Sequence, residues 1–253
     1  MFRTLITIIT LCFSLSSLAD KPDFSQIDSI KDRKTVFFNY LYPHVLNANV
    51  AILEERDIIM SIGPTETLCK KYRVDCEQED ARRKLLRKVD IVLPSQALAQ
   101  AAIESSWGRS RFATQANNYF GVWCWTKNCG LKPRKRPVGH QYWVKKYPNT
   151  QASIADFMLN LNRHSAYVGF RTSREYDASV LSHTKYLTPY SQEEQAYVEK
   201  VQGTITYNDL ERFDAQFAND LISSLPENNE ALRWHDDIKK IEKQALLAKQ
   251  SWE

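Results

Sequence analysis

Apolar residues in the first third of the chain recur at helical spacing. Between residues 29 and 62 they return every three or four positions, which predicts one or two amphipathic helices. Gly63 and Pro64 interrupt this pattern, and residues 65–88 predict a further helical stretch on a charged background. No residue pattern here indicates chemistry, so we interpret residues 20–90 as a helical N-terminal arm that serves packing or interaction.

A second helical pattern begins at Pro94 and Ser95. Ser95 is a favourable N-cap residue, and the residues that follow, 97–103, are rich in alanine and leucine, which are strong helix formers. Gly108 is placed to end this helix, because glycine adopts the left-handed conformation common at helix C-termini. The pattern predicts one helix from about residue 94 to Gly108.

The pattern changes after this helix. Four of the seven glycines lie between residues 108 and 139, which makes helix improbable there and predicts short strands and turns. Helical periodicity returns over residues 153–164 and 192–201. Residues 226–253 are rich in Glu, Lys and Ala and predict a charged helical tail.

The N-terminus resembles a secretory signal peptide. Arg3 precedes an apolar run over residues 5–18, which ends in small residues before the polar Asp20. This run is shorter than the roughly 20 residues that a membrane span requires, although an uncleaved anchor remains an alternative. With cleavage after residue 19, we expect a periplasmic or otherwise exported protein without stable membrane insertion.

Four cysteines follow the predicted cleavage site. An even number in an exported chain favours disulfides over free thiols. The obvious pairing is local, although the sequence alone allows three connectivities. Zinc is the competing interpretation, which the spacing disfavours because it lacks repeated CxxC knuckles. We therefore expect neither a metal nor a cofactor. The four residues are Cys69, Cys76, Cys124 and Cys129.

Glu104 is the residue whose position most suggests chemistry. With Ala97 and Ala101 it shares one helical face, and it lies in the last predicted turn, where the helix dipole disfavours an anion. Partial burial would also favour its protonated form. A carboxyl group that is protonated near neutral pH suits general acid catalysis at a glycosidic oxygen. The alternative is a surface carboxylate that pairs with Arg109 or Arg111.

Charge is strongly asymmetric after Glu104. Residues 105–155 contain no Asp or Glu and nine basic side chains. Such a segment attracts anionic polymers, and in an exported protein these are cell-wall glycan peptides and lipid head groups rather than nucleic acid. The alternative is a solvated basic loop. The nine residues are Arg109, Arg111, Lys127, Lys132, Arg134, Lys135, Arg136, Lys145 and Lys146.

Aromatic residues accompany these charges, since four of the six tryptophans lie in the same segment. Aromatic rings stack on the apolar faces of sugars while their polar edges bond to hydroxyl groups. Trp123 and Trp125 are two positions apart, so on an extended chain they share one face, which is either core or groove. Asn117 and Asn118 precede them, and amide side chains suit both turn formation and recognition of an N-acetyl group.

Several motifs together resemble a known family. The segments AQAAIESSWG (99–108) and NNYFG (117–121) are similar to the signature of the peptidoglycan N-acetylglucosaminidases of glycoside hydrolase family 73, which include the flagellar muramidase-like proteins. The segments WCWTKNCG (123–130), NLNRHSAY (160–167) and YSQEEQAYV (190–198) are similar to its Bax subgroup of bacterial envelope proteins. The resemblance covers about residues 30–208.

The resemblance implies a lysozyme-like α+β fold, mainly α, with a small β-lobe in a catalytic domain over residues 91–225. It implies hydrolysis of the β-1,4 bond after N-acetylglucosamine in peptidoglycan glycan strands, with Glu104 as the general acid. Tyr190 matches a tyrosine near the reacting sugar, where it could orient an N-acetyl group or a water; the alternative is a buried structural tyrosine. The substrate-binding residues that we assign on this resemblance are Asn118, Phe120, Trp123, Trp125 and Tyr167.

The sequence leaves three options for the second catalytic group. Glycosidases usually use two carboxylates, yet no acidic residue occurs between Glu104 and Asp156, so the predicted β-lobe cannot supply one. Either Asp156 or Glu175 reaches in, or the acetamide of the substrate acts as the nucleophile, or a single acid performs a transglycosylase cleavage. We expect acetamide participation assisted by Tyr190. The alternative functions are a lytic transglycosylase and a non-catalytic peptidoglycan-binding protein.

Overall fold

The computed structural model describes residues 20–134, 136 and 139–224. The signal peptide predicted over residues 1–19 and the tail predicted over 226–253 lie outside the described residues. Within the described part of the chain, no helix has the length and apolar character that crossing a bilayer requires.

Helices dominate the structure. In chain order they are α1 Ile30–Ser61, α2 Glu66–Tyr72, α3 Ala81–Lys88, α4 Pro94–Ser105, α5 Arg111–Ala116, α6 Thr150–Arg163, α7 Val168–Tyr176, α8 Val180–Thr184, α9 Gln195–Tyr207 and α10 Glu211–Ser224.

The only strands in the described residues form one small antiparallel sheet. They are β1 Trp123–Cys124, β2 Gly130–Leu131 and β3 Trp143–Lys145, and β3 lies between the other two. Val144 of β3 pairs with residues of both neighbouring strands and is buried, so the sheet has one apolar anchor point. The predicted fold class, α+β and mainly α with a small β-lobe, is confirmed.

The predicted N-terminal helical region contains one long helix, α1, of 32 residues. Ser29 caps it, since its side chain accepts a hydrogen bond from the amide of Asp32. Phe37 and Leu41 on its buried face belong to the same hydrophobic core as α4 and α6, against which α1 packs. The helix that precedes the family motifs therefore supports the helix that carries Glu104.

Two disulfides join cysteines that are close in sequence. Cys69 is bonded to Cys76, in the segment between α2 and α3, and Cys124 is bonded to Cys129, across the loop between β1 and β2. The local pairing is thus the one present. The single helical stretch expected over residues 65–88 is instead two helices, because α2 ends at Arg73 in the left-handed conformation (φ 54°).

The start of α4 differs from the prediction. Pro94 is the first helical residue and Leu93 the N-cap, so the prediction that Ser95 caps this helix is wrong. Proline is favourable at this position because its φ is already helical and its missing N–H would have no helical partner. The amide of Ser95 donates instead to Oδ1 of Asp214 on α10, at 2.8 Å.

The end of α4 also differs. The helix ends at Ser105, and Ser106, Trp107 and Gly108 follow in the left-handed region with φ of 52°, 58° and 76°. Gly108 therefore lies beyond the C-cap rather than at it. A short helix, α5, follows where none was expected, because Ser110 accepts a hydrogen bond from the amide of Ala113 and caps it.

Residues 20–27, which we call the N-terminal strap, cross this region. The ring of Phe24 lies where a side chain on Gly108 would project: a Cβ there would be 2.3 Å from it. Nζ of Lys21 donates to the carbonyl of Ala113 at 2.5 Å and to Oδ1 of Asn117 at 2.9 Å. The strap thereby fixes the segment that follows Glu104.

Candidate active site

Glu104 lies in the last turn of α4, as predicted, and is partly buried. The chain approaches its carboxylate closely at Gly121: a Cβ there would be 3.2 Å from Oε2 of Glu104. Burial raises the pKa of the Glu104 carboxyl above its ordinary value. The site thus favours the protonated acid, which is the form that donates a proton to a leaving group.

Tyr197, on α9, is a hydrogen-bonding partner of Glu104 that sequence reasoning did not assign. The hydroxyl of Tyr197 accepts a hydrogen bond from Nε2 of Gln100 at 3.1 Å and interacts with the Glu104 carboxyl. The hydrogen bond between Tyr197 and Glu104 lowers the pKa of the Glu104 carboxyl, so it opposes part of the increase in pKa that burial causes. Tyr197 lies in a motif used for the resemblance, but the motif did not indicate its contact.

Tyr167, Tyr190 and Tyr197 lie together beside Glu104, and we call these three residues the tyrosine wall. The ring of Tyr190 stacks on Tyr197 with 5.3 Å between centroids, and Tyr167 lies 6.4 Å from Tyr190. Burial raises the pKa of Tyr190 well above its ordinary value and that of Tyr167 to about 12, and the charge of Glu104 acts in the same direction on both. Both phenols therefore remain neutral at physiological pH.

Asn118 and Phe120 are engaged inside the protein. Nδ2 of Asn118 donates to the carbonyls of Val122 and Lys145, at 2.9 and 2.8 Å, and links the turn to β3. The ring of Phe120 is buried and stacks on Phe157 with centroids 3.9 Å apart. Both side chains therefore make their contacts inside the protein, where they support the backbone next to the site.

Trp123 and Trp125 are exposed, so the surface that they form is not core. Their exposed fractions are 48% and 70%. Trp123 stacks on Tyr142 with 4.5 Å between ring centroids, so each of these two rings uses one of its faces for the contact. The five-position disulfide loop of Cys124 and Cys129 holds Trp125 at the surface of the lobe.

Part of the basic segment has structural roles. Nζ of Lys145 pairs with Oδ2 of Asp156 at 2.7 Å, and Arg111 donates to the carbonyl of Lys132 at 2.7 Å. The guanidinium of Arg136 lies over the ring of Trp143. These contacts stabilise the lobe, and of the three cations only Lys145 is neutralised by an acid among the described residues.

Asp156 and Glu175, the two acids considered as a second catalytic group, are each bound to other side chains. Asp156 accepts hydrogen bonds from Lys145 and, at 2.6 Å, from the Tyr147 hydroxyl. Glu175 pairs with Arg87.

The charged side chains that act on Glu104 come from the region of α9. Glu193 raises its pKa and Lys200 lowers it. Sequence reasoning missed both, because nothing in the local pattern indicates that α9 packs against the end of α4. Among the described residues, no group of three or more His, Cys, Asp or Glu side chains is arranged to hold a metal ion.

A carboxyl group at a helix end whose pKa is raised by burial, beside tyrosines and an exposed aromatic lobe, defines a site suited to glycoside hydrolysis. Comparison with known families agrees. The family described as Glucosaminidase (mannosyl-glycoprotein endo-beta-N-acetylglucosaminidase) matches residues 79–210, and the chain belongs to this family.

Two individual proteins are similar to this chain. The chain is 30% identical over 167 residues to Protein bax of Escherichia coli K12, across 60% of this chain and 59% of that protein. It thus spans about three fifths of the length of this curated relative. Its structure is similar to the catalytic domain of the autolysin Auto from Listeria monocytogenes, with a TM-score of 0.45 and 21% identity over 78% of this chain and 91% of that one.

Proposed function

We propose that this protein hydrolyses the β-1,4 glycosidic bond after N-acetylglucosamine in peptidoglycan, with Glu104 as the general acid. The observation that carries the proposal is the burial of this carboxyl at the end of α4, which favours its protonated form. The proton passes from Glu104 to the leaving-group oxygen as the glycosidic bond breaks. The lysozyme-like domain is expected over residues 91–225.

The acetamide of the substrate is the nucleophile in this proposal, and Tyr190 assists it. The Tyr190 hydroxyl donates its proton to the carbonyl of Phe120 at 2.8 Å, so its lone pairs remain available. A neutral phenol oxygen in this position can accept a hydrogen bond from the acetamide N–H and orient the carbonyl oxygen toward the anomeric carbon. Asp156 already accepts hydrogen bonds from Lys145 and Tyr147, which supports a mechanism in which Asp156 takes no part.

Substrate binding is assigned to the aromatic lobe and the tyrosine wall. Trp123 and Trp125 offer exposed rings to the sugar faces of an anionic polymer. Tyr167 lines the reacting subsite, while Asn118 and Phe120 shape it indirectly through the backbone. Two disulfides and a peptidoglycan substrate agree with export to the periplasm or elsewhere in the cell envelope.

The decisive experiment compares Glu104→Gln with Asp156→Asn in digestion of purified peptidoglycan. Loss of a general acid lowers the rate by about 10²–10⁴-fold, so Glu104→Gln is expected to abolish detectable digestion while Asp156→Asn retains most of it. Circular dichroism and thermal unfolding establish that each variant is folded. A loss in folded Asp156→Asn as large as that in Glu104→Gln contradicts the acetamide proposal.

The absence of acids from the lobe also favours a second candidate, a lytic transglycosylase with a single acid. Mass spectrometry of the products separates the two. A reducing-end N-acetylglucosamine supports hydrolysis after that sugar, whereas an anhydro-muramic product shows a transglycosylase. A zymogram with the purified protein tests the remaining alternative, a wall-binding protein without activity, since such a protein leaves no cleared band.

A further inference from the structure

Two glutamines are buried on the face of α4 that carries Glu104. Gln96, Gln100 and Glu104 are four positions apart, so each side chain lies one helical turn from the next on the same face. Both glutamines have a relative exposure of 0%, and Oε1 of Gln96 has no hydrogen-bond partner in the described part of the chain. Such burial costs stability, and a polar group kept at that cost points to a function.

Hydrogen bonds join the two glutamines to Tyr197 on α9. Nε2 of Gln96 donates to Oε1 of Gln100 at 3.1 Å, and Nε2 of Gln100 donates to the hydroxyl of Tyr197 at 3.1 Å. The Gln100 amide thus accepts on one side and donates on the other, which gives the hydrogen bonds one direction, from α4 toward α9. We call Gln96, Gln100 and Tyr197 the polar chain.

The direction of the polar chain determines what the Tyr197 hydroxyl does. Its oxygen accepts from Gln100, and its other hydrogen-bond partner among the described residues is Glu104, which lies one turn beyond Gln100 on α4. A phenol has a single proton, and here that proton is left for the carboxyl group of Glu104. The Tyr197 hydroxyl is therefore a donor to Glu104 and not an acceptor from it.

We propose that Gln100, held by Gln96, is a positioning residue that orients the Tyr197 hydroxyl as a donor to Glu104. This inference rests on the proposed role of Glu104 as general acid. An acceptor hydroxyl would draw the proton of the acid into the protein and away from the substrate. A donor hydroxyl leaves that proton on the carboxyl oxygen that Tyr197 does not contact, and it stabilises the carboxylate that remains after proton transfer.

The other titratable groups that interact with Glu104 come from several elements, and substitutions in the polar chain leave all of them unchanged. A shift in the titration of Glu104 in such variants therefore reports the Tyr197 hydroxyl. These other groups are Tyr167 before α7, Tyr190 after α8, Glu193 before α9 and Lys200 on α9.

The test is the pH dependence of kcat/KM on soluble peptidoglycan fragments, because its basic limb reports the loss of the Glu104 proton. A donor to the carboxylate lowers the pKa of Glu104, so Tyr197→Phe should move this limb to higher pH. Gln100→Met has a side chain of similar length without the amide. It should move the limb in the same direction by a smaller amount and lower kcat by up to about 10²-fold.

Gln202→Met is the matched control. It removes another glutamine amide from α9, one that donates to the carbonyl of Leu181 and to the hydroxyl of Thr184, at 2.9 and 3.0 Å. Its limb should coincide with that of the unmodified protein. Circular dichroism and thermal unfolding establish that each variant is folded.

The double variant separates positioning from a structural role. If Gln100 acts through Tyr197, Gln100→Met causes no further shift of the limb and no further loss of kcat in the Tyr197→Phe background. Losses of kcat that multiply in the double variant overturn the proposal, because they show that Gln100 acts independently of Tyr197.

Two further results overturn it. One is a limb that moves to lower pH in Tyr197→Phe, which shows that the hydroxyl accepts from Glu104. The other is a Gln100→Met profile that coincides with that of Gln202→Met. Carbon-13 NMR of the Glu104 carboxyl, assigned by the loss of its signal in Glu104→Gln, follows the same titration without activity. If peptidoglycan is not digested, the proposed function fails, yet this titration still supports or overturns the orientation of Tyr197.

Discussion

Substitution of Gly108 by alanine should destabilise the protein through two separable effects. The residue has φ 76°, where an L side chain costs about 1–2 kcal/mol. The new Cβ would also lie 2.3 Å from the ring of Phe24, so the strap must shift, and such overpacking costs about 1–3 kcal/mol. The two effects together predict a loss of about 2–5 kcal/mol in the free energy of unfolding.

Urea unfolding followed by tryptophan fluorescence measures this loss. Gly63→Ala is the matched control: Gly63 also has a positive φ, of 108°, but nothing lies within 4 Å of a Cβ built there. Phe24→Ala relieves the clash and alone costs about 3–5 kcal/mol. The double variant should lose less than the sum of the single losses, by the overpacking contribution. Additive losses, or equal losses for Gly108→Ala and Gly63→Ala, would refute the reasoning.

Two further predictions concern a buried carboxyl and an exposed ring. Burial raises the pKa of Asp214 to about 7 from 3.8, so its contribution to stability is present at low pH and lost as the pH rises toward 7. Asp214→Asn keeps an acceptor for the Ser95 amide. Its free energy of unfolding, relative to that of the unmodified protein, should rise by up to about 4 kcal/mol between pH 4 and pH 8. A difference between the two proteins that is independent of pH contradicts this. Trp125→Ala should weaken sedimentation with insoluble peptidoglycan by up to about tenfold in the Glu104→Gln background, because a stacked ring contributes about 0.5–1.5 kcal/mol; unchanged binding removes Trp125 from the substrate surface.

Features that depend on neighbours in sequence were predictable. The helical spacing of α1 and α4 and the placement of Glu104 near a helix end follow from residues a few positions apart, and the local cysteine pairing was the most obvious of three connectivities. The short helix α5 was missed, because the density of glycines concealed a cap at Ser110.

Features that depend on distant contacts were not predictable. At the start of α4 the hydrogen-bond acceptor is the side chain of Asp214 and not that of Ser95. Asp214 lies 119 positions later in the chain, and no local pattern indicates such a partner. The same holds for the site. A motif identified Tyr190, but the contact of Tyr197 with Glu104 arises only when α9 packs against α4.

The N-terminal strap has a consequence for the order of folding. Lys21 lies near the N-terminal end of the described residues, yet its acceptors are 92 to 96 positions later in the chain. Contacts of such long range form late, since the intervening chain must first be ordered. The residues at the start of the strap are therefore among the last to reach their native contacts, so the segment that follows Glu104 becomes rigid late in folding.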